Sequence, residues 1–186
     1  MLLADPPNNM IAQSQSGTGK TTALVLSMLS RVDATKNFPQ VICISPTYEL
    51  ALQTGQVAEK MGKFCPEVKI GYAVRGERVS RGEKVTDHII FATPGTLLDW
   101  ILGNRALDPK KIKMFVLDEA DVMIAQQGHQ DQSIRIHKFA LWFALNSFTA
   151  LFPFVCFLPP THLFVPWREL HSFKFDASEA LGPVYM

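Results

Sequence analysis

The octapeptide SQSGTGKT at residues 14–21 decides the fold class of this 186-residue chain. A short β-type run, residues 10–13, precedes it, and apolar residues at helical spacing follow it over residues 21–32. A strand, a glycine-rich loop and a helix in this order are the context that a phosphate-binding P-loop requires. The octapeptide therefore predicts an α/β domain with a phosphate site before a helix.

The residue types of the octapeptide suit this chemistry. Gly17 and Gly19 allow backbone turns that other residues avoid, so that successive N–H groups and the helix N-terminus face phosphate oxygens. Lys20 brings a positive charge to the phosphates, and the Thr21 hydroxyl suits Mg²⁺. Ser14 replaces the first glycine of the strict motif, which leaves an ordinary glycine-rich turn as the alternative. The nucleotide-binding candidates are Ser16, Gly17, Thr18, Gly19, Lys20 and Thr21.

A second candidate site follows the apolar run MFVL at residues 114–117. Asp118 and Glu119 come directly after this run, at the edge where parallel sheets bind ligands. Asp118 is placed to hold Mg²⁺, directly or through water, and Glu119 to polarise the water that attacks a γ-phosphate. Lys20, Asp118 and Glu119 are thus the catalytic candidates. The alternative for the two carboxylates is a solvated acidic turn or helix N-terminus.

The rest of residues 9–117 alternates strand-like and helical patterns, which predicts βαβ units around a mainly parallel sheet. The predicted strands are residues 10–13, 41–45, 68–74, 89–92 and 114–117. The predicted helices are residues 21–32, 49–64 and 97–102. On the second helix, Leu50, Val57, Met61 and Phe64 have helical spacing, and the Met and Phe members are expected in the core.

Taken together, the two sites resemble motifs I and II of the DEAD-box RNA helicases. PTYELA at residues 46–51 resembles motif Ia, Arg75-Gly76 the glycine motif, and TPGT at residues 93–96 motif Ib. The resemblance implies a RecA-like P-loop NTPase fold, ATP and Mg²⁺ as cofactors, and a grip on the backbone of single-stranded RNA without sequence specificity. The RNA-binding candidates are Pro46, Thr47, Arg75, Gly76, Thr93, Pro94 and Gly95. Strand-breaking prolines and an ordinary turn glycine are the alternatives.

Two departures from the usual motifs point to a subfamily. Tyr48 and Thr96 stand where the family usually has arginine, and residues 118–136 add to the match. These features resemble the messenger-RNA export subfamily and its germ-cell paralogues. The resemblance implies nuclear-pore and export-factor partners and a cytoplasmic and nuclear location, including the nuclear pore; no signal peptide is visible at the N-terminus.

Composition limits the other function classes. The net charge of +1 does not support a broad basic surface, so RNA contacts are expected to be local. Cys43, Cys65 and Cys156 have no metal-ligand spacing, and Cys43 lies in an apolar run where a buried side chain is expected. His129 has no His or Cys partner at ligand spacing and is expected on the surface or as a cap.

The chain changes character near Lys138. Residues 139–186 hold five of its 35 charged side chains, and residues 139–158 hold none. We expect residues 1–138 to form a partial helicase ATP-binding domain and residues 139–186 to be a hydrophobic tail, not a folded domain. A C-terminus replaced by splicing or read-through is favoured over a membrane anchor or a partner-binding tail.

This division bears on activity. The resemblance implies an RNA helicase acting on ATP, but the family's adenine-recognising motif and second RecA-like domain are not recognised in the chain. We expect the chain alone not to unwind RNA, since arginine fingers generally contribute a factor of about 10³ to 10⁵ in rate. The alternative is a non-catalytic fragment that binds nucleotide, RNA or nuclear-pore proteins and competes with the full-length helicase.

Overall fold

The computed structural model describes residues 10–13, 17–125 and 154–158 of the chain. Its centre is a sheet of six strands in the order β1-β6-β5-β2-β4-β3, with all neighbouring strands parallel. The strands are β1 Met10–Gln13, β2 Val41–Ile44, β3 Ile70–Ala73, β4 Ile89–Ala92, β5 Met114–Leu117 and β6 Phe154–Leu158. The predicted α/β class with a parallel sheet is confirmed.

Helices connect the strands and pack on the sheet in two clusters of apolar side chains. They are α1 Lys20–Arg31, α2 Tyr48–Gly62, α3 Pro94–Leu98 and α4 Ala120–Ala125, with a π-helical turn Asp99–Gly103 and a 3-10 turn Pro109–Lys111. In one cluster, α1 and α2 pack against every second residue of the central strands, for example Val41 and Cys43 of β2. In the other, α3, the π turn and α4 pack against the residues between them, such as Ile42 and Ile44. Strands buried on both faces explain why their sequences are continuously apolar.

Helix α2 packs closely because its buried positions are small. The side of α2 that faces the sheet carries Ala51, Thr54, Gly55, Ala58 and Gly62. Phe64, predicted to be in the core, lies beyond the end of α2 and is 78% exposed, so that prediction was wrong. The helix ends two residues before Phe64, which removes it from the helical stripe, and Lys63 places its ammonium over the Phe64 ring.

Strand β6 comes from the segment in which we expected no folded structure. Its backbone lies between β1 and β5, with Val155 opposite both Met10 and Val116. The apolar run at residues 154–158 fits a strand that is flanked on both sides. The proposed boundary at residue 138 and the state of the rest of the tail stay predictions, because residues 126–153 and 159–186 lie outside the described part.

The helices of the described residues bear on the membrane-anchor alternative. No helix among them is long and apolar enough to cross a bilayer. Of the uncharged run at residues 139–158, the structure describes only residues 154–158.

Candidate functional site

The described candidate residues collect at one edge of the sheet. Parallel strands present all their carboxyl ends at the same edge, and each candidate group lies in or next to the segment that follows a strand. The order of the strands separates two kinds of candidates. Those for nucleotide follow β1 and β5, with β6 between them, and those for RNA follow β2, β4 and β3. The two halves meet where β5 pairs with β2.

The glycine-rich loop has the backbone that the sequence predicted. Gly17 and Gly19 have φ angles of 80° and 86°, in the left-handed region where a side chain would be strained. Gly19 caps α1 and has no side chain to satisfy the first amides of the helix. Lys20 and Thr21 begin the helix and are half-buried. This arrangement leaves a helix N-terminus suited to an anion, while Ser16 lies outside the described residues.

Asp118 is the group that joins the site together. Its backbone N–H donates to the Ile44 carbonyl at 2.9 Å, which continues the β5–β2 ladder, and its Oδ2 accepts a hydrogen bond of 3.1 Å from the Thr54 hydroxyl. Burial raises the pKa of Asp118, while the Thr54 hydroxyl, the Lys20 charge and the Glu119 backbone amide act in the opposite direction. The Lys20 charge and the Asp118 carboxyl therefore interact across about a hundred residues of sequence.

Glu119 and Cys43, which both lie near Asp118, differ in backbone conformation and in burial. Glu119 is half-buried and has a φ angle of 52°, an uncommon conformation for a side-chain-bearing residue, which is seen often at functional sites. Cys43 is fully buried, and burial together with the Asp118 charge raises the pKa of its thiol. Cys43 is thus the inert, buried residue that the sequence predicted.

The RNA candidates lie on three adjacent strand ends. Thr47 caps α2 and its hydroxyl accepts from the Leu50 amide at 3.3 Å. Thr93 caps α3, and its hydroxyl lies 3.5 Å from that of Thr96. Pro94 is buried in the first turn of α3, so the exposed part of that loop is the neighbouring Gly95.

The third loop follows the edge strand β3. Arg75 is exposed, and Gly76 has a φ angle of 104° with nothing within 4 Å of a Cβ built on it. Pro46, after β2, is half-buried. The structure thus places all seven candidates along the β2, β4 and β3 ends.

Two residues near Asp118 were not singled out from the sequence. Thr54 is 4% exposed and holds the Asp118 carboxyl. Ser45 is fully buried, one residue beyond the registered pair Ile44 and Leu117, and its hydroxyl has no hydrogen-bond partner among the described residues. For Thr54 the available signal was a polar residue among the small residues on the buried side of α2.

These features define a P-loop nucleotide-binding α/β domain of the RecA-like type. A model of the DEAD/DEAH box helicase family matches residues 2–152. The chain belongs to this family, and the predicted family is confirmed. His129 and most of residues 118–136, used for the subfamily, lie outside the described residues.

Curated relatives are similar over about three quarters of the chain. The ATP-dependent RNA helicase DDX19A of Bos taurus is 67% identical over 138 residues, which are 74% of this chain and 29% of the relative. The DEAD-box helicase Dbp80 of Drosophila melanogaster is 68% identical over 137 residues, 74% of this chain and 30% of the relative. The ATP-dependent RNA helicase DDX25 of Bos taurus is 63% identical over 138 residues. The chain therefore spans less than a third of the length of these relatives.

Solved structures agree with the fold. Saccharomyces cerevisiae Dbp5 bound to RNA and ADP BeF3 superposes with a TM-score of 0.74 at 40% identity, covering 92% of this chain and 40% of that one. A Dbp5 variant bound to Nup159, Gle1, IP6 and ADP gives a TM-score of 0.71 at 43% identity, covering 84% and 39%.

Proposed function

We propose that this chain is an ATP- and RNA-binding unit of an ATP-dependent RNA helicase. The observation that supports this most is geometric: the glycine-rich turn before Lys20 and the Asp118 carboxyl, which Thr54 holds at 3.1 Å, both follow strands of one parallel sheet and lie at the same edge. A P-loop lysine and a carboxylate at the end of a parallel strand are the two groups that phosphoryl transfer from a nucleotide requires near each other. Lys20 and the loop amides hold phosphate oxygens, and Glu119 orients and polarises the attacking water.

The residues fit Mg²⁺, which we propose as the companion of ATP. Thr21 and Asp118 supply the hard oxygen ligands that Mg²⁺ prefers. The buried hydroxyl of Ser45, which has no hydrogen-bond partner among the described residues, comes one residue after Ile44, just as Asp118 comes one residue after Leu117, its neighbour in the sheet. When bound, Mg²⁺ would neutralise charge on the phosphate oxygens. Asp118 has to be ionised for this role, and its hydrogen bond from Thr54 favours the ionised form.

For RNA we propose the segments that follow β2, β3 and β4. The hydroxyl and backbone groups of the seven candidates suit contacts with phosphate and sugar, and Arg75, which is exposed, is the one charged residue among the seven. Because few cations are involved, RNA affinity should show a shallow dependence on salt and little preference for sequence.

The test uses the purified 186-residue chain and measures nucleotide affinity and ATP hydrolysis, each with and without RNA. Lys20→Ala should weaken Mg-nucleotide binding about 10- to 100-fold, because a charge-assisted contact is lost. Unchanged affinity in this variant would contradict the assigned phosphate site. RNA-stimulated hydrolysis that disappears in Glu119→Gln supports the catalytic role. Binding of both ligands without hydrolysis would favour the non-catalytic alternative.

At a finer level we propose that the chain acts in messenger-RNA export, in the cytoplasm and nucleus and at the nuclear pore. This rests on the subfamily resemblance and on the Dbp5 structures that contain Nup159 and Gle1. Co-precipitation of the corresponding Gle1 and nucleoporin with this chain, and imaging of a fluorescent fusion, test the proposal. A fusion that is absent from the nuclear rim, with no co-precipitation, would contradict it.

A further inference from the structure

The hydrogen bond between Thr54 and Asp118 crosses from one half of the site to the other. Asp118 follows β5, in the half that holds the nucleotide candidates, and Thr54 is on α2, which follows β2 in the half that holds the RNA candidates. The two residues are 64 positions apart in sequence. The bond is therefore a direct polar link between two elements to which we assign different ligands.

The geometry of the bond restricts the Asp118 carboxyl. An ionised carboxylate only accepts hydrogen bonds, so the Thr54 hydroxyl donates its single proton to Oδ2. Thr54 is 4% exposed, and water has little access to replace it as the donor. The bond thus holds Oδ2 of the carboxylate in one position.

Helix α2 connects Thr54 to the proposed RNA surface. The helix begins at Tyr48, and its cap, Thr47, is one of the RNA candidates. Thr54 comes seven residues after Thr47, which is about two turns or roughly 10 Å along the helix axis. Small residues pack this face of α2 closely on the sheet, and close-packed elements transmit displacements instead of absorbing them. A shift at the start of α2 would therefore reach the Thr54 hydroxyl.

We propose that Thr54 is a positioning residue that sets the orientation of the Asp118 carboxyl according to whether RNA occupies the start of α2. The inference rests on the proposed function and adds to it a physical route between the two ligands. Because coupling between two bound ligands is reciprocal, nucleotide with Mg²⁺ should raise the affinity for RNA by the same factor as RNA raises the affinity for nucleotide.

The test compares Thr54→Val, which keeps the shape and removes the hydroxyl, with Thr54→Ser, which keeps the hydroxyl. Nucleotide affinity is titrated over a series of Mg²⁺ concentrations, with and without single-stranded RNA. Thr54→Val should weaken Mg²⁺-dependent nucleotide binding about tenfold and reduce the coupling factor for RNA towards one, since a hydrogen bond to a charged group is lost. Nucleotide binding in the absence of Mg²⁺ should stay unchanged. Thr54→Ser should stay within about threefold of the parent chain.

Thr35→Val is the matched control. Thr35 also donates its hydroxyl to an aspartate, Asp33, at 2.6 Å, but in an exposed turn after α1. Loss of the Thr35 hydroxyl should change neither the Mg²⁺ dependence of nucleotide binding nor the coupling factor between nucleotide and RNA.

Three outcomes would overturn the inference. Thr54→Val could weaken nucleotide binding equally with and without Mg²⁺, or Thr54→Val and Thr54→Ser could weaken it equally. The third is that nucleotide and RNA bind to the parent chain without affecting each other's affinity. In each of these cases the proposed function still stands if Lys20→Ala weakens nucleotide binding as expected. If Lys20→Ala has no effect, the proposed function itself fails, and the inference fails with it.

Discussion

At the scale of single residues, the ionised carboxyl of Asp118 lowers the stability of the folded chain because it is buried. The carboxyl is buried at the end of β5, and burial raises its pKa from the ordinary value of 3.8. The folded chain then binds more protons than the unfolded chain between pH 3.8 and the raised pKa. Stability is therefore highest below this window, falls as the pH rises through it, and stays lower above it.

Replacing Asp118 by Asn removes the titration and keeps an acceptor for Thr54. We expect Asp118→Asn to have a higher free energy of unfolding than the parent chain at pH 7, without nucleotide or metal. The difference should shrink as the pH is lowered towards 4. Urea unfolding at the two pH values measures it. An equal difference at both values would show that burial does not penalise the ionised carboxyl.

At the scale of elements, α2 depends on a glycine at its closest approach to the sheet. A Cβ built on Gly55 would overlap the ring of Tyr72, whose hydroxyl donates to Glu59 Oε1 at 2.7 Å and whose ring lies beside Phe91, with centroids 6.1 Å apart. The ring can move only by giving up these contacts. Gly55→Ala should therefore destabilise the chain by about 1 to 3 kcal/mol, despite the better helix propensity of alanine.

Gly62, on the same helix, is the control for this prediction. The nearest atom to a Cβ built there is Ile70 Cδ1 at 3.6 Å, an ordinary contact. Gly62→Ala should be neutral or stabilising by up to about 1 kcal/mol. Thermal unfolding of both variants makes the comparison. Equal effects would mean that the approach of α2 to Tyr72 is not tight.

The elements also show which local signals were sufficient. The strands at residues 10–13, 89–92 and 114–117 were predicted with the bounds that the structure has, because continuous apolar runs between turn residues have few other conformations. Helix α3 begins at Pro94, three residues before the predicted start, because proline is favoured in the first turn. The position of β6 depends on partners distant in sequence, so its apolar run could equally be assigned to a tail.

The same distinction holds for the site. Gly17, Gly19, Lys20 and Asp118 could be proposed from the sequence because phosphate and Mg²⁺ binding require these residue types at this spacing. Thr54 could not, since its role arises only when α2 packs beside β5.

At the scale of the whole molecule, the two segments that we propose to hold the nucleotide are joined through β6. In the described part of the chain, β1, which leads to the glycine-rich loop, pairs with β6, and β6 pairs with β5, which leads to Asp118. Cys156 lies opposite both Ile11 and Leu117. Its backbone is therefore at the centre of the connection.

Cys156→Pro should loosen this connection, because proline has no N–H to donate within a central strand. We expect a loss of about 1 to 3 kcal/mol in the free energy of unfolding and at least a tenfold loss of nucleotide affinity. Cys156→Ala, which retains the amide, should change both by much less. Chemical denaturation and nucleotide titration check the pair. A proline variant that binds nucleotide as the parent does would show that β6 is not needed to hold the loop.

The pairing of β1 with β6 also determines when this protein can finish folding during its own synthesis. Met10 lies opposite Val155, so β1 can pair with its neighbour in the sheet only after a segment 145 residues further along the chain has been made. At elongation rates of about 5 to 20 residues per second, the ribosome needs roughly 7 to 30 s to deliver it. During that interval β2, β3, β4 and β5 can already assemble, while β1 and the loop after it lack their place in the sheet. A nucleotide held at that loop could therefore stabilise the nascent chain only after β6 has been translated.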